Sequence, residues 1–340
     1  MFSKVFARLF VVVLFVFAVW SVGAVDTLMV EGLNQPRGLA FDIEGNLYIA
    51  DPGVGGDVTF GEETEFSQVR TAGATSQLLM IAPDGTQTVL LPHLASTGAD
   101  GESGGLARVQ ITEDTIWLLF GEGAPFQPFT DTVIALDRET LRVKHFIDLM
   151  TYETLYNPDG TEEIYSNAHD MFVTESGLVY IIDTGANTLY TWTETDGLQV
   201  FQTWSDNPVP TSIHTAADGS LWVGFLGQHI APGAGRVDHV ATDGTVIESY
   251  TGLTAVTDVL VADDGDVYAV QMATIFGEQG PDFESGNVIR LEADNSTTPI
   301  MEGLHTPYAL AQAPDGTMVV STHSVFGAPA SGAVMVVETE

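Results

Sequence analysis

The sequence predicts an all-β protein, a six-bladed β-propeller with four antiparallel strands per blade and an N-terminal strand closing the last blade. Three observations predict it. A strand, tight turn and second strand recur six times. Each copy is followed by two further apolar segments. The last copy lacks one of these, and a matching segment lies at the opposite end of the chain. Multi-strand repeats of roughly 40–50 residues are the signature of propeller blades.

Taken in chain order, the first element is a leader. Lys4 and Arg8 precede an apolar run from Leu9 to Trp20, and Val22-Gly23-Ala24 offers a small-residue cleavage site. Charged, apolar and small regions in that order read as a secretory signal peptide over 1–24. The run is short for a membrane span. The expectation is a secreted protein, periplasmic or extracellular, with the propeller over 25–340 and no membrane attachment after cleavage.

The six strand pairs are Gly38–Asp51, Gly105–Phe120, Asp170–Asp183, Ser212–Phe225, Asp258–Gln271 and Ala309–Thr322. The outer strands follow each pair, for example Gln77–Gly85 with Thr86–Leu94 in the first blade. In the sixth, Gly332–Glu340 supplies a third strand and the chain stops. Asp26–Leu33, which resembles the other outer strands, is expected to pair with it and close the ring.

Strand direction sorts the connections onto two faces. One carries uniformly tight turns built on Gly45, Gly85, Gly197, Gly219, Gly244, Gly265 and Gly316, most of them Asp-Gly. Such pairs satisfy the positive φ that short hairpins require. The Asp-Gly motifs are therefore turn chemistry rather than metal sites. The other face receives the insertions 52–76, 92–104, 121–131, 150–167, 226–235, 272–286 and 323–331. Elaborated loops on a rigid scaffold are where function concentrates, so the working site is expected there, over the central channel.

Composition narrows the partners. The formal charge is −36, with 46 acidic residues against 10 basic ones. Such a surface repels nucleic acid and anionic lipid. There is no cysteine, which excludes disulfides and a lipoprotein anchor. The core of a propeller this long is sufficient without cross-links, and a monomer is expected.

Around the channel mouth, the positions just before the innermost strands are Arg37, Gly104, His169, Thr211, Thr257 and Tyr308. The next positions include Gly105, Asp170 and Asp258, and the ends of the second strands include Asp51, Asp183 and Gln271. Arg37, Asp51, His169, Asp170, Asp183, Asp258, Gln271 and Tyr308 are thus the candidate binding residues. One reading makes His169 a general base oriented by Asp183 or Asp51. The competing reading has the carboxylates accept backbone N–H groups or pair with Arg37. His214, mid-strand, reads as a buried hydrogen-bonded histidine. Asn157, Asp159 and Glu162 carry oxygens but not EF-hand spacing, which makes their segment a surface loop.

At LNQPRGLAFDIEGNLYIADPGVGG (Leu33–Gly56) the chain resembles the ScyD/ScyE family of exported, NHL-like propellers. Pro83–Leu90, Thr151–Gly160 and Val209–Gly224 extend the resemblance over the whole mature chain. The YE…NPDG stretch, Tyr152–Gly160, and the Gly-rich loop after Asp51 are its more specific parts. The resemblance implies an exported propeller and transfers no catalytic residues.

Two functions stand against each other. One is a non-catalytic accessory protein that binds a small molecule or a protein partner on its loop-rich face, without a cofactor. The alternative is a gluconolactonase-like, metal-dependent hydrolase or lyase at the channel mouth. The metal-dependent reading needs several oxygen ligands around one ion, such as calcium. The ring just before the innermost strands contains no carboxylate and one permanent cation, Arg37. No nucleophile elbow, zincin, Walker or dinucleotide motif is suitably placed. A compact acid–base cluster in an open pocket would favour the enzyme; a mouth plugged by loops would favour binding.

Overall fold

The computed structural model describes residues 28–62, 69–99, 101–277 and 280–338. The proposed leader lies outside them, as do Asp26 and Thr27 of the closing strand. Six antiparallel sheets follow one another around a ring, and each innermost strand contacts the next, the last contacting the first. Closure is as the repeat implies. Leu28–Leu33 pairs antiparallel with Gly332–Val337, with Leu28 opposite Met335 and Leu33 opposite Gly332.

The core is divided among the six blade interfaces. Between the first and second blades, Tyr48, Ala50 and Leu78 pack against Leu106, Leu118 and Phe120. Between the last and first, Val30, Leu33, Val319 and Val334 pack against Leu39, Leu47 and Ile49. The remaining four interfaces are built alike. Alternation of side chains puts one set from each strand on either face of the blade. Both faces meet a neighbour, which is why the second strands Leu47–Asp51, Thr115–Phe120 and Val179–Asp183 are buried throughout.

All seven turn glycines named above have positive φ. The aspartate before several of them caps the turn, as when Asp84, Asp243 and Asp315 accept the backbone N–H of Thr86, Thr245 and Thr317 at 2.9 Å. These bonds hold the three carboxyls below their ordinary range.

Several insertions differ from the loops expected of them. Arg70–Ile81 and Gln87–Ala99 form one long hairpin, with Val58–Phe60 and Glu102–Gly104 added at its edges. The first blade thus rises above the others as a six-stranded sheet. Small residues permit it: a Cβ on Gly73 would lie 2.3 Å from the Gly55 carbonyl oxygen. The 150–167 insertion opens with a helix, α1, Leu149–Tyr156, whose first turn is capped by Asp148 accepting the Thr151 N–H at 2.9 Å.

Candidate functional site: the central channel

The channel is lined in layers by the six innermost strands. β-bulges at Ala168/Asp170, Pro210/Ser212 and Val256/Asp258 set the register of three of them. The second blade carries the same bulge between Leu106 and Arg108. Its residues in the ring are therefore Ala107 and Arg108, which corrects the expected Gly104 and Gly105. One layer then reads Gly38, Arg108, Asp170, Ser212, Asp258 and Ala309. Gly38 is required beside Arg108, since a Cβ there would sit 2.6 Å from the Arg108 Cα.

Arg108 is the residue the sequence reading missed, and it organises the channel. Its Nη2 donates to Asp258 Oδ1 at 3.0 Å, and its Nη1 reaches Asp258 Oδ2 at 3.3 Å. Its Nε lies 3.0 Å from Asp170 Oδ1, a close ion pair whose N–H is not aligned for a hydrogen bond. All three residues are buried. Each aspartate also clasps the next blade: Asp170 accepts the Ile213 N–H at 2.8 Å and Asp258 the Leu310 N–H at 2.7 Å. Burial pushes both carboxyls up, against the pull of Arg108 and these N–H groups. For Arg108, burial works against the charge, but Asp170 and Asp258 outweigh it and raise its pKa. Thus a carboxylate–arginine pair exists as one reading anticipated, with Arg108 rather than Arg37 as the cation.

Above this layer, toward the elaborated face, Arg37, His169 and Tyr308 meet. His169 Nδ1 lies 2.6 Å from the Thr211 carbonyl oxygen and must donate to it. Nε2 is then the acceptor for the Tyr308 hydroxyl at 2.5 Å. The guanidinium of Arg37 stacks over the Tyr308 ring, 5.1 Å from its centroid. Burial, with Arg108 and Arg37 nearby, lowers the His169 pKa to about 3. His169 is a neutral spacer between a carbonyl and a phenol, with neither Asp183 nor Asp51 as its partner. Insertions pack against the mouth, as Met272 and Val325 pack with Ala255 and Tyr308, flanked by Leu226 and Ile230.

Asp51, Asp183 and Gln271 do one job in three blades. Asp51 accepts the N–H groups of Gly53 at 3.0 Å and Asn34 at 3.3 Å, and the Gln77 amide at 3.1 Å. Asp183 accepts from the Ser166 hydroxyl at 2.5 Å, Asn167 N–H at 2.8 Å and Ala186 N–H at 3.1 Å. Gln271 accepts the Thr254 N–H at 2.7 Å and donates to Asn287 Oδ1 at 3.0 Å. Each braces the end of a second strand to the segment that enters the innermost one. Burial raises both Asp51 and Asp183.

Below the Arg108 layer the channel opens into a cavity of about 230 Å³. It runs along the inner strands from that charged floor to Gln312 and Asp263 at the tight-turn face, with Phe172 and His214 on its wall. His214 is half-buried against the Phe172 ring, 4.5 Å between centroids, and contacts the Thr215 carbonyl oxygen at 3.0 Å. Burial lowers its pKa to about 4. On the elaborated face, the cavity beside Gln127 and Phe129 holds only about 10 Å³, room for roughly one water. Among the described residues no three acidic or histidine side chains converge as metal ligands, and no helix is long and apolar enough to cross a membrane.

No protein-family model and no curated protein matches the chain. Solved structures do. Virginiamycin B lyase from Staphylococcus aureus aligns with a TM-score of 0.51 at 11% identity, over 92% of this chain and 98% of that one. Regucalcin, a calcium-binding protein from Agrobacterium tumefaciens, gives 0.58 at 12%, over 93% and 94%. A glucose dehydrogenase gives 0.57 at 13%, over 93% and 100%. At such identities the likeness is one of architecture, and the chain shares with these proteins the six-bladed β-propeller fold.

Proposed function

We propose that the protein is an exported, non-catalytic propeller of the ScyD/ScyE kind that holds a protein partner on its elaborated face. The observation that carries this reading is that the polar groups at the channel mouth are already engaged with one another. Both ring nitrogens of His169 are engaged, and the four candidate aspartates are committed to Arg108 or to N–H and O–H donors. Among the described residues no free acid–base pair stands there for catalysis. The face above is cross-linked by polar and ring contacts and presents aromatic surface. Arg70 joins Glu122 at 2.6 Å and Tyr165 donates to the same carboxylate at 3.2 Å. Phe283 and Phe326 stack at 4.6 Å, while Phe126 and Phe129 are 60% and 39% exposed. Exposed aromatics on a pre-organised surface are the usual anchors of a protein interface.

The test is site-specific photo-crosslinking in the source cells. A photoreactive residue at Phe126 should yield a discrete protein adduct. One at Ile43, 85% exposed in a tight turn of the opposite face, should not. Equal labelling at both sites, or none at Phe126, would refute the reading.

A second reading is favoured by the 230 Å³ cavity, which is large enough for a small molecule and carries buried charge at its floor. Here the channel, entered from the tight-turn face, binds or turns over a compact ligand at Asp170. Thermal unfolding with a panel of lactones and aromatic metabolites tests it, because a ligand of the native state raises the midpoint. The shift should vanish in Asp170→Asn; catalysis would show as loss of the ligand in wild type only.

A further inference from the structure

Beneath α1, in the segment that reads as a surface loop, lies a group of oxygens with nothing to bind. Glu153 is fully buried, and neither carboxylate oxygen has a hydrogen-bond partner. No cation pairs with it among the described residues; burial first, and then the charges of Asp159 and Asp183, push its pKa up to about 7. One helical turn on, the N–H of Asn157 donates to the Glu153 carbonyl at 2.8 Å. The Asn157 side-chain NH₂ donates to the Thr161 carbonyl at 2.8 Å. That bond fixes the amide's orientation and leaves Oδ1 buried without a donor. Asn187, 5% exposed, is arranged the same way. Its NH₂ contacts Asp159 Oδ2 at 3.5 Å, and its Oδ1 is buried and unpartnered.

Four buried oxygens from three side chains of this segment and the adjoining strand thus lack donors; Asp159 touches Asn187, and its charge acts on Glu153. An unpaired buried acceptor costs about 1–3 kcal/mol, more when charged. A single water donates two hydrogens and cannot serve four acceptors. A hard cation can. Two carboxylates match a doubly charged ion, and the mixture of carboxylate and neutral amide oxygens on a loop suits calcium, which accepts 6–8 oxygens in adaptable geometry. Magnesium, octahedral and reluctant to dehydrate, suits it less.

We propose that Glu153, Asn157, Asp159 and Asn187 form a calcium site that pins α1 and its loop to the third blade. It goes beyond the partner-binding reading and does not depend on it. Only two of its four residues, Glu153 and Asp159, are acidic.

The test uses the full-length protein stripped with EGTA and titrated calorimetrically with calcium chloride and, separately, magnesium chloride. One saturable calcium per chain is expected, bound more tightly than magnesium, with a calcium-dependent rise in the thermal midpoint. Glu153→Gln keeps the shape and removes a charge; it should weaken calcium about a hundredfold and abolish the midpoint shift. Asn187→Ala, read by the same two measurements, stands in if the first variant does not fold. Asp294→Asn, in an exposed turn, should bind as wild type. Absence of saturable binding by the folded wild type, or wild-type binding by the folded Glu153 or Asn187 variant, would overturn the proposal.

Discussion

Replacing Arg108 by leucine should show how much of the ring depends on its channel charges. The substitution leaves Asp170 and Asp258 buried at 5% and 4% exposure, each keeping its N–H clasp but without its cation. Breaking a buried ion pair by removing one partner costs about 3–5 kcal/mol. Here two carboxylates lose the same guanidinium, 3.0 Å from each. The penalty must depend on pH. An aspartate whose folded pKa stands above its unfolded value of about 3.9 binds more protons folded than unfolded between those values. Stability therefore falls as pH rises through that window, by up to ~1.4 kcal/mol per unit for each carboxyl. Arg108→Leu should accordingly lie closest to wild type near pH 4 and lose most at neutral pH. Urea unfolding followed by tryptophan fluorescence at several pH values reads this directly. Adding Asp170→Asn and Asp258→Asn should recover much of the loss and flatten the profile. A loss below ~1 kcal/mol at neutral pH, or one that does not change with pH, would refute the assignment of Arg108 as the charge that holds the channel layer.

Three further predictions follow from other parts of the ring. Val30→Asp puts an unpaired carboxylate into the closing interface, where Val30 is 3% exposed, and should cost more than ~4 kcal/mol in denaturant unfolding. Gly73→Ala forces a Cβ to within 2.3 Å of the Gly55 carbonyl oxygen; a loss of about 1–3 kcal/mol and faster proteolysis within 52–99 are expected. His169 and His214, lowered to about 3 and about 4, should both be neutral at pH 5 by nitrogen-15 NMR, His169 with its proton on Nδ1. Because the unfolded chain protonates them near 6.5, each withdraws stability as pH falls below that value, and a folded His169 found charged at pH 5 would contradict its bond to Tyr308.

The ring and its closure were legible because they rest on local rules repeated six times. A turn glycine needs positive φ wherever it occurs, and Val30 and Leu33 repeat the outer-strand pattern of their counterparts. Arg108 was not legible for an equally local reason. The Gly-Leu-Ala run of Gly105–Ala107 copies Gly38–Ala40 of the first blade, and aligning the two displaces the second blade by three positions. The pairing that sets the register, Leu106 with Phe120 and Arg108 with Leu119 as Ala168 with Asp183 and Asp170 with Ile182, is visible only in the fold. The outer part of that hairpin, 70–76 with 95–99, reads as loop because its glycines and threonines lack apolar alternation; Gly73 packs backbone to backbone against Gly55 and Gly56. Glu153 gave no signal either, since a glutamate one turn into a short helix normally faces water. Only the fold carries it beneath α1.

The seam between Leu28–Leu33 and Gly332–Val337 has a mechanical meaning. Leu28 faces Met335 while Leu33 faces Gly332, so both outer ends of the seam lie together at one edge of the blade. A load drawn through those ends would peel the ladder a rung at a time instead of shearing all rungs at once. The ring should resist heat as a cooperative unit and yet open like a zipper to a small directed force. In a single-molecule pull from residues 28 and 337, the last blade should yield first, at low force.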